Sequence, residues 1–107
     1  MAVRVVMAEL AGADPLAAAT LFHATVLPTL AAVLEGGDSL VVRFDHAEDK
    51  PHRWRREAIA ALARAHAPLR VNAVAPAGPH ADEAKLMATI AFLSANEGVT
   101  GQLLIAG

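Results

Sequence analysis

Ala61-Leu62-Ala63-Arg64-Ala65-His66-Ala67-Pro68-Leu69-Arg70-Val71-Asn72-Ala73-Val74-Ala75-Pro76 takes the chain from a helix into a strand. The alanine-rich first half continues a helical pattern that begins at Trp54. Pro68 has no N–H for another turn, so the spacing predicts a helix over residues 54–67. Residues 69–74 read as a strand, and Pro76-Ala77-Gly78-Pro79 as the loop that follows it. Trp54, Ala58, Leu62 and Ala65 share one face of the helix. Arg53 and Glu57, with Arg64 further along, mark a wet side.

Outward from this stretch the same alternation repeats. Upstream, residues 39–44 (Ser-Leu-Val-Val-Arg-Phe) read as a strand and residues 2–7 as another. Between them, Asp14-Pro15 supplies an N-cap and a first helical residue for a long apolar helix. That helix is predicted to end at Glu35, before Gly36-Gly37, and to kink about Pro28 near Thr25. Downstream, residues 82–95 read as a third helix with Leu86, Ile90 and Leu93 inward, and residues 102–106 as a last strand. The predicted class is α/β. The chain reads as a Rossmann-like fragment of two or three layers, four mainly parallel strands alternating with three helices, in a single domain over residues 1–107. Right-handed crossovers between successive strands should place the helices on one face and leave the other bare.

The composition narrows the function classes. The chain is 55% hydrophobic and 19% charged, and much of the excess is alanine, which favours packed helices over membrane insertion. The charge-free run of residues 15–34 approaches membrane-spanning length, but His23, three threonines and Pro28 fit a buried helix better. Zero cysteines exclude thiolate chemistry and suit a cytoplasmic protein, and no secretory signal is visible. A net charge of −2 gives no pull toward nucleic acid.

Three stretches resemble the C-terminal half of the short-chain dehydrogenase/reductase family. Residues 20–30 (Thr-Leu-Phe-His-Ala-Thr-Val-Leu-Pro-Thr-Leu), running into Gly36-Gly37-Asp38-Ser39-Leu40-Val41-Val42, are similar to its interface helix and central strand. Ala61 to Pro76 is similar to its helix end and Arg-Val-Asn-x-Val-x-Pro-Gly segment. Residues 90–94, then Val99-Thr100-Gly101-Gln102 to Gly107, resemble its Phe-Leu-x-Ser helix and terminal Thr-Gly-Gln strand. The resemblance implies a dinucleotide enzyme, yet its chemical positions differ here. The only early glycine is Gly12, where a glycine-rich phosphate turn would be needed. The chain has no tyrosine, and the family's Tyr-x-x-x-Lys pair falls near Glu48 and His52. Phe44-Asp45 stands where the family has its serine, Pro-Gly is interrupted as Pro76-Ala77-Gly78, and the insertion after it shrinks to about residues 79–84.

The remaining candidates are weak. Asp45, His46, Glu48, Asp49 and His52 could supply a metal or an acid/base pair, but they lack a coordinated spacing such as His-Glu-x-x-His. A polar loop capping a sheet is the simpler reading. Arg53, Arg55 and Arg56 beside Trp54 read as a solvated face, partly paired with nearby carboxylates. His23 reads as a core or interface histidine with one backbone partner. No cofactor and no metal are expected. The expected function is that of a catalytically silent relative acting through assembly, as a homo-oligomer or with a full-length short-chain dehydrogenase, without nucleic acid or membrane. The alternatives are an oxidoreductase subunit that borrows NAD(P) from such a partner, or a small ligand- or metal-binding enzyme using residues 45–52. The expected contact surface is the first helix, Leu16 to Leu34, with Val26 and Leu27 at its centre, or else the bare sheet face and the first strand.

Overall fold

A computed structural model describes residues 2–10, 14–48 and 51–107, so Gly12 and Asp49 lie outside the described residues. Strand β1 (Val3–Ala8) leads to helix α1 (Pro15–Glu35), β2 (Ser39–Phe44), α2 (His52–Ala65), β3 (Val71–Pro76), α3 (Glu83–Ala95) and β4 (Leu103–Ala106). The sheet order is β1-β2-β3-β4 and every pair is parallel.

The expected ends of α1 are present. The Asp14 carboxylate accepts from the Ala17 N–H at 2.8 Å, and Gly37 takes the left-handed conformation at φ 96° just past the last turn. The kink expected at Pro28 takes the form of a π-wound segment, Phe22–Val26, inside the helix. Proline offers no N–H to that turn, and the Leu27 N–H reaches back five residues to the Phe22 carbonyl. The helix is buried along one stripe only, at Ala18, Phe22, Leu30 and Leu34. Val26 and Leu27 pack partly against this core, whereas Leu16 is 80% exposed and Leu21 41%. By length and composition Pro15–Glu35 could cross a membrane, but here it lies along the sheet.

Other boundaries shift for local reasons. Helix α2 spans His52–Ala65 rather than 54–67, ending before Pro68, which has no N–H to continue it. The Leu69 N–H closes a turn on the His66 carbonyl at 2.9 Å, so β3 starts two residues later than expected and runs to Pro76. Ala65 is exposed, and the buried face of α2 is Arg55, Ile59, Leu62 and Ala63, with Trp54 and Ala58 at its margin.

The larger correction concerns the two faces of the sheet. Leu40, Val42, Phe44, Val71, Ala73 and Ala75 share a core with α1 and α2. Val41 and Val74, on the opposite face, pack against Leu86, Ile90 and Leu93 of α3. The fold therefore has three layers, and the third crossover has the opposite hand to the first two. Occupancy supplies the reason. Helix α2 reaches over the start of β4, with Ala63 Cβ 3.6 Å from where a side chain on Gly101 would begin, and Leu103 lies in its core. That face is filled there, so the apolar stripe of α3 can be buried only on the other. The bare face expected from sequence persists over β1 alone, where Val5 is 49% and Met7 50% exposed.

Candidate functional site

In parallel α/β sheets ligands bind at the carboxyl ends of the strands. Here β2 ends in Phe44-Asp45, and Asp45 ties three elements together. Its backbone N–H donates to the Ala8 carbonyl at 3.3 Å and its Oδ2 accepts from the Leu10 N–H at 2.8 Å, fixing the end of β1. Its carbonyl accepts from Arg55 Nη1 at 3.1 Å, while Oδ1 lies 3.7 Å from Arg55 Nη2.

Arg55 corrects the expectation of a solvated arginine face, because its side chain is fully buried. The guanidinium lies over the Phe44 ring, 4.6 Å from its centroid, and 5.8 Å from that of Trp54. Burial pushes it down from its ordinary pKa, and the Asp45 carboxylate works against that shift. Nε and Nη2 of Arg55 and Oδ1 of Asp45 are buried without hydrogen-bond partners. A signal for this burial lay in the sequence: the stripe Ile59, Leu62, Ala63 extended back one turn lands on Arg55. By contrast, Arg53, Arg56, Glu57 and Arg64 are exposed, as expected.

The four described candidates, Asp45, His46, Glu48 and His52, do not converge. Asp45 is a structural tie. His46 Nε2 lies 3.1 Å from Glu48 Oε1, and Glu48 is 89% exposed, so water competes with that pair. Glu48 precedes the helix and His52 opens it, so the i, i+4 relation of a Tyr-x-x-x-Lys pair does not form here. Among the described residues no group of three or more His, Asp or Glu could hold a metal ion. His52 Nδ1 is buried without a partner, and desolvation, reinforced by Arg55 and Arg56, holds its pKa below the ordinary value. The neutral form therefore belongs to the fold. Stability should fall as pH drops below about 6.5, where the unfolded chain protonates first. His52→Asn should flatten this part of a urea-midpoint profile between pH 5 and 8, and an unchanged slope would assign the dependence elsewhere.

A pocket of about 260 Å³ opens between the ends of β1, β2 and β3, with Met7, Asp45, His46, Pro76 and Pro79 on its walls. It falls slightly below the usual ligand-site range of roughly 300–1,000 Å³. Its guanidinium, Arg43, is already committed: Nη1 donates to Glu83 Oε1 at 2.7 Å and Nη2 to Oε2. This bond raises the Arg43 pKa and lowers that of Glu83. Nor do the N-termini of α1 and α3 fit a pyrophosphate. Asp14 and Asp82 place their own carboxylates on the N–H groups of Ala17 and Ala84 that an anion would need. His23 faces outward, with Nδ1 2.7 Å from the Ala19 carbonyl.

The residues most specific in the sequence serve the scaffold. Arg70 donates to the carbonyls of Leu93, Ser94 and Asn96, closing the end of α3. Asn72 is buried, donating to the Val99 carbonyl and accepting from the Gln102 N–H. The Val71 N–H donates to the Thr100 hydroxyl, and the Gly101 N–H returns a bond to the Val71 carbonyl at 2.7 Å. The Arg-Val-Asn and Thr-Gly-Gln stretches thus hold one another. Compared with known families, the chain matches the model described as short chain dehydrogenase-like protein over residues 6–106. No curated protein and no solved structure matches it.

Proposed function

The chain belongs to the short-chain dehydrogenase-like family, and on that premise we propose a catalytically silent member that acts through assembly, with itself or with a partner chain. The observation that carries this reading is the commitment of the carboxyl edge to internal bonds. Asp45 holds Leu10 and Arg55, Arg43 holds Glu83, and Asp14 and Asp82 cover two helix N-termini. The absence of tyrosine from the sequence leaves no counterpart of the family's catalytic tyrosine, while the residues shared with the family lock strands and helices together. The exposed apolar side chains, Val5 and Met7 on β1 and Leu16 and Leu21 on α1, suit contact with another chain. A cytoplasmic setting goes with this reading, and a chain without cysteine suits it.

The second reading, a small-ligand or acid/base site, rests on the His46–Glu48 contact beside the pocket. A third, a subunit borrowing NAD(P) from a full-length partner, keeps the same surfaces and adds chemistry from outside.

Calorimetric titration with NAD and NADP tests the silent reading. The isolated chain is expected to give no heat of binding at micromolar dissociation constants. A micromolar constant for either dinucleotide would overturn the silent reading.

A further inference from the structure

We infer that β1 is a self-pairing edge: two copies of the chain join antiparallel along it, with the two-fold axis at Val5. The inference deepens the assembly reading, on which it rests, by naming the surface, the partner and the register.

The backbone sets the opportunity. β1 is an outer strand, hydrogen-bonded on one side to β2. The Ala2 carbonyl accepts from Ser39 and the Ala8 carbonyl from Asp45, so the even-numbered residues face β2. By alternation the N–H and C=O groups of Val3, Val5 and Met7 point to the open side. Their side chains lie on the α3 face of the sheet, where Val3 packs at the margin of the α3 core and Val5 and Met7 are left half exposed. The other edge, β4, is only four residues long, a natural protection against pairing. β1 has six residues, four of them valine or methionine in an unbroken Val5-Val6-Met7 run after Val3, with no proline.

Charge selects the register. Outward-facing residues must oppose outward-facing residues, so registers differ in steps of two. Centred on Arg4, the pairing would set Arg4 against its own copy, a like-charge contact. Centred on Val6, it would set Val3 against Glu9. Centred on Val5, it opposes Val5 to Val5, Val3 to Met7 and Arg4 to Val6, with no charge against charge. Three outward pairs then exchange about six hydrogen bonds, and Val3, Val5 and Met7 of both copies form one apolar strip. A strand edge alone falls short of the roughly 1,200 Å² of a stable interface. The two-fold axis also puts both copies of α1 on the same, opposite face of the joined sheet, where Leu16 and Leu21 are exposed.

The test uses the whole chain, which contains no cysteine of its own. Opposed residues in a hydrogen-bonded pair lie about 5.5 Å apart at Cα, inside the roughly 4.4–6.8 Å that a disulfide spans. Val5→Cys should therefore cross-link into dimers under mild oxidation, and Ile105→Cys on β4 should not. Light scattering should give about twice 11.1 kDa for the unmodified chain. Val5→Lys, at a half-exposed position, should give a monomer with unchanged circular dichroism. A dimer that Val5→Lys leaves intact and Val5→Cys does not cross-link would overturn the edge pairing yet leave assembly through another surface standing. A monomeric unmodified chain would sink the edge pairing and self-assembly together.

Discussion

Asp45→Asn is expected to destabilise the chain by about 3 kcal/mol or more, although it keeps an oxygen for the Leu10 N–H. Removing one partner of a buried pair leaves the other charge uncompensated, which typically costs roughly 3–5 kcal/mol. Arg55 is fully buried, and among the described residues Asp45 supplies its hydrogen-bond acceptor and its carboxylate partner. The companion result decides the mechanism. Arg55→Met removes a guanidinium whose Nε and Nη2 have no hydrogen-bond partner, and puts an apolar chain of similar reach between Phe44 and Trp54. Alone it leaves the Asp45 carboxylate without its cation and should cost roughly 1–3 kcal/mol, less than Asp45→Asn because that carboxylate is partly exposed and keeps the Leu10 N–H. In the double variant most of the Asp45→Asn loss should disappear, because the charge that needed Asp45 is gone. Urea denaturation of the four proteins closes the cycle. An Asp45→Asn loss below about 1 kcal/mol would show that Arg55 finds compensation elsewhere.

Phe22→Ala should cost about 3–5 kcal/mol, the range for emptying a buried aromatic site. Phe22 is completely buried where the π-wound segment turns it into the core, with ring centroids 5.4 Å from Trp54 and 5.7 Å from Phe44. Phe44 and Trp54 meet edge to face at 5.9 Å, so the three rings form one packed unit joining α1, β2 and α2. A domain of this size has about 5–15 kcal/mol in total, so this single change should remove a large share of it. Phe22→Leu, which keeps most of the volume, should cost less than half as much. Equal losses for the two variants in a denaturant titration would mean that the cavity is not the source.

The strand and helix alternation, the Asp14 cap, the left-handed stop at Gly37 and the inward stripe Leu86, Ile90, Leu93 were all legible in the chain. Each depends on residues within a few positions of one another, where steric limits and side-chain period act directly. The family was legible too, since Arg70-Val71-Asn72 and Thr100-Gly101-Gln102 are held by bonds to each other and to α3. Of the candidate site, the residue types were visible and their uses were not. Asp45 and Arg55 looked like members of a wet polar stretch, and only the arrival of Leu10, Phe44 and Trp54 around them turned them into a buried tie. The face taken by α3 was likewise undecided in its own sequence, because an apolar stripe fits either side of a sheet apolar on both. It was settled by α2 reaching over the start of β4, where Ala63 stands 3.6 Å from the place a side chain on Gly101 would begin, an approach across 38 positions of chain that no local pattern encodes.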